Sequence, residues 1–178
     1  VGGSLTDTIY FTITVSNTNR APSLNLITDV AVNELVSISQ IDASDDSSNA
    51  ASDIDGDTIT YTCYYDMVDD ATVSQTNLCY TLTGVKFSTG QGTLDWTVPS
   101  SAASSGTQDY EFKIGGTDGD LLDEEVFTIV VTHVNGAPDL NILSDESVNE
   151  NVAITTLNAN DVNSSGDTDV DGEAITYT

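Results

Sequence analysis

The 178-residue chain carries 29 Asp and Glu against three basic residues, Arg20, Lys86 and Lys113, for a net charge of -26. Such a surface repels phosphate backbones and anionic headgroups, which argues against nucleic acid and against direct membrane insertion by this segment; no stretch approaches the ~20 apolar residues a spanning helix needs. The acidity calls for bound divalent cations, a high-salt habitat or enough folding energy to tolerate it, solubility alone being the plain alternative, while 38% hydrophobic content with β-branched and aromatic runs points to a folded chain.

Taken in chain order, residues 1–20 hold a strand with Ile9, Phe11, Ile13 and Val15 on one face. Val36, Ile38 and Ile41 open the next, and Ile59, Tyr61, Cys63 and Tyr65 alternate between an Asp-Gly-Asp turn and Asp66. Leu78, Tyr80 and Leu82 alternate after an acidic, turn-rich segment. Leu94 and Trp96 mark a strand closed by Pro99, and Ser100 to Ser105 read as a loop. Tyr110, Phe112 and Ile114 alternate up to a Gly115-Gly116 break, and Phe127, Ile129 and Val131 form the last strand of the set. Period two dominates throughout, which makes the chain all-β. Trp96 and Tyr61 are expected in the core; with Tyr64, Tyr65 and Tyr80 they would otherwise make a sugar-binding platform.

Cys63 and Cys79 flank the acidic segment at a spacing of 16, a natural place for a hairpin-closing disulfide in an oxidising compartment; two reduced, buried thiols are the alternative. The alternation sets Cys79 against Leu78, Tyr80 and Leu82, so a twist or bulge is needed to bring the two sulfurs together.

A repeat organises these elements. The 42 residues from Ala21 to Thr62 align without a gap on those from Ala137 to Thr178 at an offset of 116, with roughly 20 identities, far beyond chance. Residues 1–22 lie on 117–138 at the same offset. The reading is therefore one complete repeat at 21–136, preceded at 1–20 by the final strand and linker of an earlier copy and followed at 137–178 by the truncated first part of a later one. The period suits a seven-stranded sandwich of ~100 residues.

Four marks recur in order: a final strand running into Asn19-Arg20-Ala21-Pro22 and Asn135-Gly136-Ala137-Pro138; Asn33-Glu34 and Asn149-Glu150; Asp53-Ile54-Asp55-Gly56-Asp57 and Asp169-Val170-Asp171-Gly172-Glu173; and Thr117-Asp118-Gly119. Together they resemble the cadherin-like and immunoglobulin-like tandem repeats of large prokaryotic surface proteins, adhesins and surface fibres. The resemblance implies antiparallel Greek-key β-sandwiches in an elongated array, with calcium at the inter-repeat junctions. Calcium takes six to eight hard oxygens, which carboxylates two residues apart in a turn and linker carbonyls can supply. Carried over position by position, the first junction would use Asn19, Asp53, Asp55 and Asp118, and the second Glu34, Asn135, Asp169 and Asp171. A merely solvated acidic turn is the alternative at either place. The linkers here lack further acidic positions that animal cadherins carry, and Leu94-Asp95-Trp96-Thr97 stands where those have an Asp-Arg-Glu motif, which implies fewer or weaker ions. Asp167 to Gly172 also fits the first half of a helix-loop-helix calcium loop, but its twelfth position is Thr178 rather than Glu and a strand pattern follows, which excludes that reading.

Nothing in the sequence assembles a catalytic set. The single His133 lies at the end of the final strand where the other copy has Asn17, and is expected to be a surface residue. The repeated acids at strand ends suit cation binding better than a pair of differently tuned carboxyls. The chain is thus expected to be a non-enzymatic, extracellular, cell-surface segment. Its role is either adhesion, with a cell-surface protein or glycan as partner, or length and continuity in a filament whose partners are sister repeats or identical chains. A spacer in a secreted polysaccharide-degrading enzyme is a third reading.

Overall fold

A computed structural model describes residues 2–44, 51–67, 72–140, 145–154 and 167–177. Seven strands lie between Val30 and Thr132: β1 Val30–Asn33, β2 Ser37–Asp42, β3 Thr60–Asp66, β4 Val85–Ser88, β5 Thr93–Thr97, β6 Thr107–Thr117 and β7 Leu122–Thr132. They form two sheets, one in the order β1-β7-β6-β3 and one in the order β2-β5-β4. Consecutive strands repeatedly change sheet, as a Greek-key sandwich requires, and the architecture is an all-β sandwich. All pairings are antiparallel except β1 on β7, which is parallel and pairs Val30 with Ile129 through Asn33 with Thr132.

The alternation seen in the sequence builds the core. Phe112 and Ile114 from β6, Phe127, Ile129 and Val131 from β7, and Leu94 and Trp96 from β5 are all essentially inaccessible. Trp96 stands edge-on to Tyr110 and Phe112, with ring centroids at 4.9 and 5.9 Å, and Phe112 stacks on Phe127 at 5.5 Å. Such pairs add about 0.5–1.5 kcal/mol each beyond the area they bury. The indole Nε1 donates to the Thr83 carbonyl at 3.0 Å, so burying Trp96 leaves no donor unmet. Tyr61 is buried as expected, whereas Tyr80 is exposed and Tyr64 and Tyr65 are half-buried, so the tyrosines form no common platform.

Several local expectations change. Leu78, Tyr80 and Leu82 do not form a strand: Cys79–Thr81 is a single 3₁₀ turn, in which the Thr81 hydroxyl donates to the Leu78 carbonyl. This turn supplies the twist the cysteines needed, and Cys63 and Cys79 are joined with Cα atoms 5.4 Å apart, both buried. Gly115-Gly116 does not end β6, which runs to Thr117. A side chain at Gly116 would collide with Leu24 and Ile59, so the glycines let core residues from outside the sheet lie flat on it. The early strand is bulged between Ile38 and Ile41, with Gln40 at φ 51 and its amide donating to Asp95 Oδ1, which puts both isoleucines toward the core despite their odd spacing. Short β1 and β4 carry too few residues to show a period.

Among the described residues, no strand is present in 2–20, and Ile9, Phe11, Ile13 and Val15 are exposed. The described parts of 145–177 likewise carry no strand. Yet the local geometry repeats at the offset of 116. The reciprocal Ser23–Ser52 bridge reappears as Asp139–Thr168, the left-handed Leu35 (φ 63) as Asn151 (φ 64), and Gly56 (φ 84) as Gly172 (φ 78).

Candidate functional site

Each Asp-x-Asp turn is built by its first carboxylate. Asp53 Oδ1 accepts the amides of Asp55 at 2.7 Å and Asp57 at 3.3 Å; Asp169 Oδ1 accepts those of Asp171 at 2.9 Å and Glu173 at 3.3 Å. This self-capping is why Asp suits the first position, and the left-handed glycine after the second Asp closes the loop. The second carboxylate then faces the linker. Arg20 N donates to Asp55 Oδ2 at 2.9 Å and Gly136 N to Asp171 Oδ2 at 2.5 Å, so both linkers are pinned by the same bond.

Beyond that bond the junctions differ. At the first, the Arg20 guanidinium also donates to Asp55, Nη2 to Oδ1 at 2.7 Å and Nε to Oδ2 at 3.4 Å, and Asn17 adds a further hydrogen bond. The Asp55 carboxyl is held below its usual range, chiefly by the Arg20 side chain, with burial opposing. Asn19 Nδ2 donates to Asp118 Oδ2 at 3.0 Å, and Asp118 Oδ1 accepts the Asp120 and Leu121 amides, which lower its pKa. Asn19 and Asp118 therefore meet, Asp53 and Asp55 share a turn, and the three acids do not gather around one point.

At the second junction they do, with a member the sequence reading misplaced. Leu35 in its left-handed conformation turns the chain from β1 toward β2, and Glu34 just before it is tucked inward with its side chain fully buried. Its Oε1 accepts the Ala103 amide at 2.7 Å; its Oε2 accepts the Val134 amide at 3.0 Å and lies 2.9 Å from His133 Nδ1. Burial alone would raise the Glu34 pKa, but these amides and the ring outweigh it and hold it below the ordinary value. Burial likewise works to lower that of His133, and Glu34, then Asp171 and the Ala103 backbone, push it up. His133 is thus not a surface residue: its side chain is 11% exposed. Glu34, His133 and Asp171 each offer one ligand atom within 4.8 Å of the others, the one such set among the described residues. Asp171 Oδ1 and His133 Nε2 are buried and make no hydrogen bond.

The remaining expected ligands stand aside. Asn135 is exposed and its amide group turns back to the Gly136 carbonyl at 3.0 Å, and Asp169 is occupied in capping its own turn. Gly136 itself is needed for closure, since a Cβ there would run into Val170 Cγ1. His133 was within reach of the sequence: it lies in the segment leading into the Gly136-Ala137-Pro138 linker, close to the Asn135 that was selected. Arg20, the sole arginine of the chain and the counterpart of Gly136, was the other available signal.

No protein-family model matches the chain, and no curated protein matches it. Among solved structures it is similar to a chimeric titin Z1Z2 functionalized with a decorin peptide, at 16% identity and TM-score 0.44, covering 66% of this chain and all of that one. It is also similar to human protocadherin-24 EC1-2, at 15% and 0.40 over 64% of this chain and 44% of that one. A third is the eight N-terminal Ig domains of Down syndrome cell adhesion molecule, at 8% and 0.37 over 72% and 15%. Values this low carry no functional argument. The class of protein is defined by the sheet order itself, an immunoglobulin-like or cadherin-like β-sandwich.

Proposed function

We propose that the chain is a non-catalytic, extracellular segment of tandem β-sandwich repeats from a cell-surface adhesin or fibre. Residues 21–136 form one complete unit, and 1–20 and 137–178 are parts of its neighbours. The observation that carries this reading is the repetition, in sequence and in geometry, of a linker amide held by the second Asp of an Asp-x-Asp turn at an offset of 116. A domain whose distinctive polar contacts lie between consecutive units, rather than in a cleft, is suited to transmitting length and force. The exposed Phe11, Ile13 and Val15 support the array, because they are the counterparts of the buried Phe127, Ile129 and Val131.

The role of the second junction is to hold a divalent cation among Glu34, His133 and Asp171, calcium being the ion the resemblance implies. Arg20 fills the equivalent role at the first. The disulfide and the acidic surface fit an oxidising, extracellular setting.

The test is a longer chain in which residues 1–178 are flanked by native sequence. Scattering should show an extended rod, with amide exchange at Gly136 slowed by divalent ions. A compact particle whose 1–20 segment packs on 137–178 would refute the array.

A further inference from the structure

We propose that Glu34, His133 and Asp171 form a binding site for a divalent transition-metal ion of the zinc class, taken up between the end of the β7 strand and the Asp-x-Asp turn beyond the linker. The inference rests on the reading of that junction as a cation site and names the ion it takes.

Three observations lead there. The three side chains already converge, with one ligand atom each inside 4.8 Å, although Glu34, His133 and Asp171 come from separate parts of the chain. Two polar atoms, His133 Nε2 and Asp171 Oδ1, are buried at this point without a hydrogen-bond partner, an arrangement that costs free energy unless something binds there. The other oxygen of Asp171 is fixed by the Gly136 amide and both oxygens of Glu34 by amides of Ala103 and Val134, so the carboxylates are oriented before any ion arrives.

The donor set decides the class of ion. Calcium seeks six to eight hard oxygens, whereas this set brings an imidazole, a ligand that suits zinc and its neighbours rather than calcium. One imidazole nitrogen and two carboxylates are a donor set of the kind zinc accepts, at about 2.0–2.2 Å per ligand. The Nδ1 to Oε2 separation of 2.9 Å must open by a few tenths of an ångström if the ion sits between those two atoms; if the ion binds Nε2 instead, it persists as a hydrogen bond by which Glu34 orients the ring and Asp171 is the carboxylate ligand. A ring bearing two protons releases one on binding. The first junction lacks all of this: Asn17 replaces the imidazole, and a guanidinium covers the carboxylate.

Because His133 is the one histidine in the chain, the experiment reads the site directly. Oxidised, chelator-treated, ¹⁵N-labelled residues 1–178 are titrated with zinc chloride, and separately with calcium chloride, while the two imidazole nitrogens are followed by long-range ¹H–¹⁵N correlation. The expected result is a coordination shift of one ring nitrogen that saturates at one equivalent of zinc, with the ring unmoved by calcium. His133→Asn, which installs the residue of the other copy, should weaken zinc binding about tenfold or more in competition with a chromophoric chelator, while Trp96 fluorescence stays native. If calcium moves the ring and slows Gly136 exchange as zinc does, the cation junction stands and the zinc-class assignment falls. Zinc held equally well by His133→Asn would place it elsewhere on the acidic surface, which also overturns the site. If neither ion affects the ring or Gly136, an ordinary water bridges the orphaned atoms and both readings fall.

Discussion

The two junctions of this chain share a backbone and differ in who answers the second aspartate. In both, a turn capped by its first Asp presents its second Asp to a linker amide, Arg20 or Gly136. At the first, a guanidinium carried by the same residue neutralises the carboxylate, so the cation is covalently part of the protein. At the second, glycine supplies no cation and lets the turn approach closely, and the carboxylate meets a buried Glu and a histidine instead. One scaffold thus sets a guanidinium against the second Asp in one place and a glutamate and a histidine in another. Two of the differences between the copies fall at this point, Arg20 against Gly136 and Asn17 against His133.

This contrast can be broken or sharpened in several ways. The largest effect should come from the disulfide, which contributes no residue to either junction. Replacing Cys63 and Cys79 by Ala should lower the stability of the sandwich by about 3 kcal/mol for a loop of this size. Urea unfolding measures it, and both junction amides should keep their relative protection; a change confined to one would mean the contrast is imposed by the core. Next is Glu34→Ala, which strips the Ala103 amide of its acceptor and removes a carboxylate of the proposed cation site. A loss on the order of 2 kcal/mol is expected, with faster exchange at Val134 and Gly136 but not at Arg20.

Gly136→Arg asks whether the junctions are interchangeable. The new Cβ forces Val170 away, so Gly136 exchange should accelerate. The long side chain should restore part of the closure by pairing with Asp171, making the second junction insensitive to chelator; undiminished chelator sensitivity would show that the linker residue does not choose the cation. The smallest effect belongs to Arg20→Ala, because the guanidinium is more than half exposed and its pair with Asp55 is screened by salt. The folded-state pKa of Asp55 is depressed, so its contribution is present above the ordinary carboxylate range and is lost as pH falls through the folded value. The protection factor of the wild-type Arg20 amide, corrected for the intrinsic pH dependence of exchange, should therefore fall with acid and with salt, and Arg20→Ala should abolish the salt response. Chelators should leave this junction unchanged.

How much of this was legible in advance differs by element. Strands β3, β5, β6 and β7 could be read from alternation because each presents one face to a core and repeats at period two over five or more residues. The 3₁₀ turn at Cys79–Thr81 deceived the same rule, since three apolar residues two apart fit a strand as well as a tight turn, and only the pull of the Cys63 bond and the Thr81 hydroxyl separates them. The Asp-x-Asp turns and the pairing of Asp53 with Asp55 were visible as local chemistry repeated at a fixed offset. Local too was the disulfide, once two cysteines flanked a turn.

Sequence by itself determined the all-β class, the repeat of 116 residues, the acidic surface and the acids that end up at the junctions, because each depends on short-range periodicity or on self-similarity. Tertiary structure alone decided which side chain each of those acids meets. Arg20 is 35 residues from Asp55, and Glu34 is 99 residues from His133, so neither pairing has a local signature. His133 looked like an ordinary strand-end residue until β1 and β7 were laid side by side in parallel register, Asn33 beside Thr132. That register carries the next residue of each strand to the same edge, and burial there turns a glutamate and a histidine into a pair.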